Sequence, residues 1–191
     1  MTVGPHPGPW PDDPRLDPVL LAEGDTRNVE DRFRYWRREA IVAELDKSRT
    51  GLHIAIENFQ HDFNIGSVVR TANAFNVAAV HIVGRRRWNR RGAMVTDRYQ
   101  HVHHHPDASG IVELGLPILG IDNVEGSRAL ESAQLPRECV LLFGQEGPGI
   151  SEDSLRLCDD VLHITQYGST RSINAGAAAA IAMYAWALQH T

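Results

Sequence analysis

At 191 residues, with 42% hydrophobic and 23% charged residues, the chain has room for one principal domain with a sizeable core, and this composition excludes wholesale disorder. A net charge of −5 excludes a polycationic nucleic-acid binder, so any such contact must be local. Two cysteines, Cys139 and Cys158, without CxxC spacing exclude a disulfide framework or a zinc ribbon and point to a reducing cytosol, hence a cytoplasmic protein.

The opening "MTVGPHPGPWPDDP" lacks the basic start and apolar run of a signal peptide, and residues 1 to about 25 read as an extended or mobile arm without catalytic groups. From Val29 to Leu45, apolar Phe33, Trp36, Ala40, Ile41 and Leu45 recur near helical spacing beside Arg32, Arg34, Arg37 and Arg38, which predicts an amphipathic helix. Residues 1–50 thus form an arm and helix, and residues 51–191 the main domain. There "LHIAIENF" predicts a strand, "NIGSVVRTANAF" a helix with Asn64 as N-cap, and "AAVHIVG" a second strand. "HVHHHP" reads as a short strand, "ASGIVELG" as a short helix and "LPILGID" as a further strand. "CVLLFG" and "VLHIT" are buried strands separated by "SEDSLRLC", and a helix over residues 172–189 closes the chain. Its alanine-rich part, from Ala175 to Leu188, falls short of the roughly 20 residues that span a bilayer, so no membrane partner is expected. Alternating strands and helices imply an α/β domain with a mainly parallel sheet. Ligands of such sheets bind beyond the strands' carboxyl ends, which directs attention to the loops after Ile121, Phe143 and Ile164.

Several segments have residue types suited to chemistry. "FGQEGPGIS" (143–151) offers glycines for close backbone approach but matches neither the dinucleotide nor the P-loop fingerprint, and reads equally as a tight turn. In "NIGSVVRTANAF", Ile65, Val68, Val69, Ala72 and Phe75 share one face and Arg70 projects away from it, as a surface arginine also would. "STRSINAGAAAAIAMYAW" places Ser172 as a helix cap before side chains so small that something must approach the helix closely; helix propensity alone does not account for its glycine. "GRRRWNRRG" (84–92) gathers five arginines around Trp88, suited to phosphate contact and base stacking, or to a solvated basic loop. "HVHHH" aligns His101, His103 and His105 as possible metal ligands, but no cysteine or carboxylate with ligand spacing joins them, so no metal is assigned.

Taken in order, three of these segments resemble the signature motifs of the SpoU or TrmH family of RNA ribose 2′-O-methyltransferases in the SPOUT superfamily. "NIGSVVRTANAF" resembles the first, "LLFGQEGPGIS" the second and "ITQYGSTRSINAGAAAAIA" the third, and together they span about residues 51–189. The resemblance implies a SPOUT-type, mainly parallel sheet flanked by helices with a deep C-terminal trefoil knot, S-adenosylmethionine as methyl donor, tRNA or rRNA as substrate, and a homodimer without metal. Arg70 would be the central catalytic residue, with Asn64, Glu146, Ser172 and Asn174 arranging it and the ribose. Ile121, Gly144, Ile164, Ser172 and Ile173 would contact the cofactor, and "GRRRWNRRG", with the arginines of 32–38, would contact RNA. The sequence departs from the family pattern at Gln145, where Asn is frequent, at Thr165, where Pro is usual, and at Ala175-Gly176, where Val-Ser is common. The rival readings are a SPOUT RNA-binding module without catalysis and a base-modifying SPOUT methyltransferase.

Overall fold

The computed structural model describes residues 2–59 and 64–190, in two compact units, Met1–Ser48 and Arg49–Thr191.

Within the first unit, the proline-rich stretch is not simply an extended arm. Pro18 opens helix α1 (Pro18–Glu23), Asp17 caps it by accepting from the N–H of Val19, and Gly24 ends it at φ 96°. The expected helix over Val29–Leu45 is shorter in the structure. A 3-10 turn covers Asp31–Phe33, and α2 spans only Arg38–Asp46. Asp25 provides the physical reason. Its buried carboxylate accepts from the N–H of Tyr35 at 3.0 Å, and Tyr35 takes a left-handed φ of 62° that interrupts the helix. Burial opposes that charge, but Arg27, 2.7 Å away, and the backbone N–H groups of Arg27 and Tyr35 hold the carboxyl at about 2.

The second unit carries β1 (Leu52–Asn58), α3 (Ile65–Ala74), β2 (Ala79–Gly84), β3 (Val102–His105), α4 (Ser109–Val112), β4 (Ile118–Ile121), β5 (Arg128–Ala129), β6 (Cys139–Phe143), α5 (Glu152–Leu155), β7 (Asp160–His163) and α6 (Ala175–His190). The strands form one sheet in the order β3-β2-β1-β6-β4-β7-β5, with every pairing parallel. Side chains alternate between two cores, as the period of a strand requires. Ile54, Ile56, Leu141 and Phe143 pack with Val68 and Val69 of α3 and with Ala179, Met183 and Trp186 of α6. Ala55, Val140 and Leu142 pack on the other face with Ile111, Ile118 and Ile150. Strand β5 lies in what reads as a polar connection, because two residues carry no period. No helix among the described residues is long and apolar enough to cross a membrane.

The capping of two helices differs from expectation. Ser172 does not cap α6; Asn174 does, accepting from the N–H of Ala177 at 3.1 Å. Asn64 occupies the N-cap position of α3 but makes no side-chain capping bond, because its amide oxygen is engaged elsewhere.

Candidate functional site

The site lies beyond the carboxyl ends of β4, β6 and β7. After Phe143 the chain turns at Gly144, where a Cβ would lie 2.0 Å from the carbonyl carbon of Gly149, so no other residue fits. Gln145 and Gly149 close the turn by exchanging backbone hydrogen bonds of 3.0 and 3.1 Å. Three side chains anchor it. Asp122, at the end of β4, accepts from the N–H of Ile150 at 2.7 Å, and the Gln145 side chain accepts from the N–H of Phe59 at 3.1 Å. Glu57, 1% exposed within β1, accepts from the N–H of Ser151 at 3.0 Å and from the hydroxyls of Ser151 and Ser154 at 2.6 Å each.

The loop from β7 to α6 forms the opposite wall. Thr165 donates its N–H to Glu131 at 3.2 Å, a bond that proline could not make. Asn123 donates to the carbonyl of Arg171 at 3.2 Å. Between the walls is a pocket of about 680 Å³, lined by Ile121, Phe143, Gly144, Glu146, Ile164, Gln166, Arg171, Ser172, Ile173 and Asn174, among others. Gln166 presents a buried side-chain oxygen that has no hydrogen-bond partner among the described residues.

Asn174 joins the three motif segments. Its amide nitrogen donates to Asn64 Oδ1 and to Glu146 Oε1, both at 2.8 Å, while its oxygen caps α6. The small residues after it have a local cause. A Cβ at Gly176 would lie 3.1 Å from Asn174 Oδ1, 3.4 Å from Ser67 Cβ and 3.6 Å from Asn64 Oδ1, so α6 meets the start of α3 at close contact.

Of the candidate residues, Ile121, Gly144, Glu146, Ile164, Ser172, Ile173 and Asn174 share the pocket, and Asn64 is tied to it through Asn174. Arg70 does not line the pocket. It is exposed on α3, six residues and about 9 Å of helix rise beyond Asn64. Glu57, Asp122 and Gln166 also belong to the site or its supports, though none stands out in the sequence. A carboxylate inside an apolar strand, as in "HIAIEN", was the available signal for Glu57, since buried charge needs partners.

His103 and His105 share a strand face, while His101 precedes β3. His103 and His105 pack beside His81, which in turn meets His53. His53 Nδ1 lies 2.9 Å from His81 Nε2, and His81 Nδ1 lies 2.8 Å from His105 Nε2. Among the described residues no group of three or more His, Cys, Asp or Glu is arranged to hold a metal ion. The arginines of 32–38 are engaged within their own unit: Arg32 with Glu30, Arg34 with the carbonyl of Arg27, Arg37 with the carbonyl of Leu16, and Arg38 with Glu39.

The sequence model of the SpoU rRNA Methylase family matches residues 51–184. The tRNA (guanosine(18)-2′-O)-methyltransferase of Thermus thermophilus is 26% identical over 160 residues, covering 78% of this chain and 80% of its own. In fold, the TrmH/SpoU tRNA modifying enzyme of A. aeolicus superposes with a TM-score of 0.70 at 20% identity, covering 80% of this chain and 82% of the other. The SpoU methyltransferase AviRb from Streptomyces viridochromogenes, in complex with AdoMet, gives a TM-score of 0.65 at 23% identity; the match covers 74% of this chain and 59% of that longer one.

Proposed function

The chain belongs to the SpoU rRNA Methylase family, and we propose that it transfers a methyl group from S-adenosylmethionine to a ribose 2′-hydroxyl of tRNA or rRNA. The observation that carries this reading is the double donation by Asn174, which draws the first, second and third family motifs to the rim of one pocket.

The pocket residues suit the donor. Ile121, Ile164 and Ile173 offer apolar walls, Gly144 leaves bare backbone for close approach, and the unpartnered Gln166 oxygen can accept from an amino group. When bound, S-adenosylmethionine supplies a methyl carbon whose bond to the positive sulfur breaks, the electron pair passing to sulfur, as the ribose oxygen bonds to that carbon and releases its proton to water. The chain's own contribution is orientation and charge. The Arg70 guanidinium, with its planar fork of donors, stabilises negative charge growing on the ribose oxygen. Asn174 holds Asn64 and Glu146 in fixed relation, and Ser172 presents its hydroxyl from the facing wall.

Two further features belong to the proposal. A homodimer is supported by Ile181, Tyr184 and Leu188, which lie 43%, 57% and 66% exposed at i, i+3 and i+7 along α6. A deep trefoil knot in the C-terminal segment is supported by the way the turn after β6 and the loop after β7 wall the same pocket.

The experiment is incubation of purified protein with methyl-labelled donor and total tRNA or rRNA, alongside calorimetric titration of the donor alone. Donor binding and label in RNA are expected. RNA binding without label would instead mark a non-catalytic module.

A further inference from the structure

A second cleft, of about 290 Å³, lies at the β2–β3 edge of the sheet and shares no residue with the donor pocket. Its lining is largely polar, with Gln100, His103 and His104 beside Val102, and half-buried Trp88 forms a wall with the Arg90 guanidinium 5.4 Å from the ring centroid. Arg90 also pairs with Asp97 at 3.3 Å, and Asp97 is 11% exposed in the same cleft. Exposed Arg86 stands at the mouth.

The loop bearing these groups is held in place. Buried Asn58 donates to the carbonyls of Arg85 and Arg87 at 2.7 and 2.9 Å, and Asn89 accepts from the N–H of Arg91 at 3.0 Å. A Cβ on Gly66 of α3 would lie 2.7 Å from the N–H nitrogen of Ala93, so the loop packs directly against the helix that carries Asn64 and Arg70.

We propose that this cleft is a nucleotide subsite that takes one unpaired base of the RNA substrate, at a position other than the methylated ribose. The inference rests on the reading of the protein as an RNA methyltransferase. An anion alone would meet the Asp97 carboxylate, so the interior suits a neutral heterocycle. The indole stacks against it, and Asp97, with acceptor capacity beyond the Arg90 bond, takes an amino hydrogen from its edge. Phosphates flanking that base meet Arg85, Arg86, Arg87 and Arg91 outside. The separation fits a different nucleotide: β2 lies three strands from β4, about 14 Å at ~4.8 Å per strand.

The test compares wild type with Arg86→Ala, Trp88→Phe and Trp88→Ala in binding to single-stranded regions of tRNA or rRNA and to S-adenosylmethionine. Trp88→Ala is expected to weaken RNA binding roughly 5- to 150-fold, the range of one base–aromatic stack, and Trp88→Phe to restore most of it. Arg86→Ala is expected to weaken it and to lower the slope of log affinity against log salt by about 1. Donor affinity should stay unchanged in all three. RNA carrying 4-thiouridine should photocross-link to the segment 85–104. If wild type binds and methylates RNA while Arg86→Ala and Trp88→Ala match it, the subsite is overturned and the enzyme reading stands. If wild type neither binds nor methylates RNA, both fall. A Trp88→Ala loss that Trp88→Phe fails to restore, with donor affinity falling in parallel, marks a packing role and also overturns the subsite.

Discussion

Asn174 donates from a single amide nitrogen to Asn64 Oδ1 and Glu146 Oε1 at 2.8 Å each, across 110 and 28 residues of sequence. Its oxygen caps α6, so one side chain both starts the last helix and fastens the other two motif segments to it. Asn174→Ser separates these roles, because Ser caps a helix as well as Asn but its one short hydroxyl cannot cap and donate to both Asn64 and Glu146. Turnover is expected to fall on the order of 10²-fold, the cost of a small misplacement, with a melting temperature close to wild type. Equal losses of stability and activity would reduce Asn174 to a cap.

Arg70→Lys keeps the charge and removes the planar fork. The variant is expected to lose about 10²-fold or more in turnover, as when one donor to a developing oxyanion is deleted, and to bind S-adenosylmethionine as wild type does. Arg70 lies outside the donor pocket, so an intact donor isotherm is the discriminating measurement. Near-normal turnover would remove Arg70 from the reaction.

Glu57 is the buried anchor of the Gly144 turn, with three donors converging on one carboxylate. Glu57→Ala leaves those donors without their charged acceptor and should cost about 1–3 kcal/mol in denaturant unfolding. Donor affinity should fall as well, because Ser151 follows directly on the turn that walls the pocket. An unfolding loss with unchanged donor affinity would show that the turn holds its shape without Glu57.

The imidazole row gives a pH dependence with a definite sign. Burial, then the neighbouring imidazoles of His53, His105 and His103, push His81 down to about 3; burial and His103 also lower His53 and His105. Their folded values lie below the ordinary 6.5 or so of an unfolded histidine. The unfolded chain therefore binds protons first as pH falls, and the row's stabilisation is complete above about 6.5 and lost on acidification toward the folded values. Between pH 7 and 5 the unfolding free energy should drop, His81 contributing a slope that approaches about 1.4 kcal/mol per pH unit and His53 and His105 adding in the same direction. His81→Phe should flatten that slope in urea titrations, and superimposable profiles would contradict the assignment.

Much of the sheet was legible because its strands are apolar runs bounded by turn residues, and parallel strands buried on both faces read that way. What escaped depends on contacts distant in sequence. The helix expected from Val29 breaks because Asp25 takes the N–H of Tyr35, which no local period reveals. Ser172 and Asn174 are equally good caps in a list of residues, and the choice follows from where Asn64 and Glu146 arrive. The three segments were visible as motifs, but Asp122 and Gln166 gave no sign of facing the same pocket. The ties of Arg34 to the Arg27 carbonyl and of Arg37 to the Leu16 carbonyl were also hidden, since those partners lie 7 and 21 residues away.

The ribose as acceptor is tested most directly by alkaline hydrolysis of RNA labelled by the purified enzyme. A methylated 2′-oxygen cannot attack the adjacent phosphodiester, so the label is predicted in alkali-stable dinucleotides, and Arg70→Lys should abolish most of it. Label recovered only in mononucleotides would place the methyl group on a base and contradict the account.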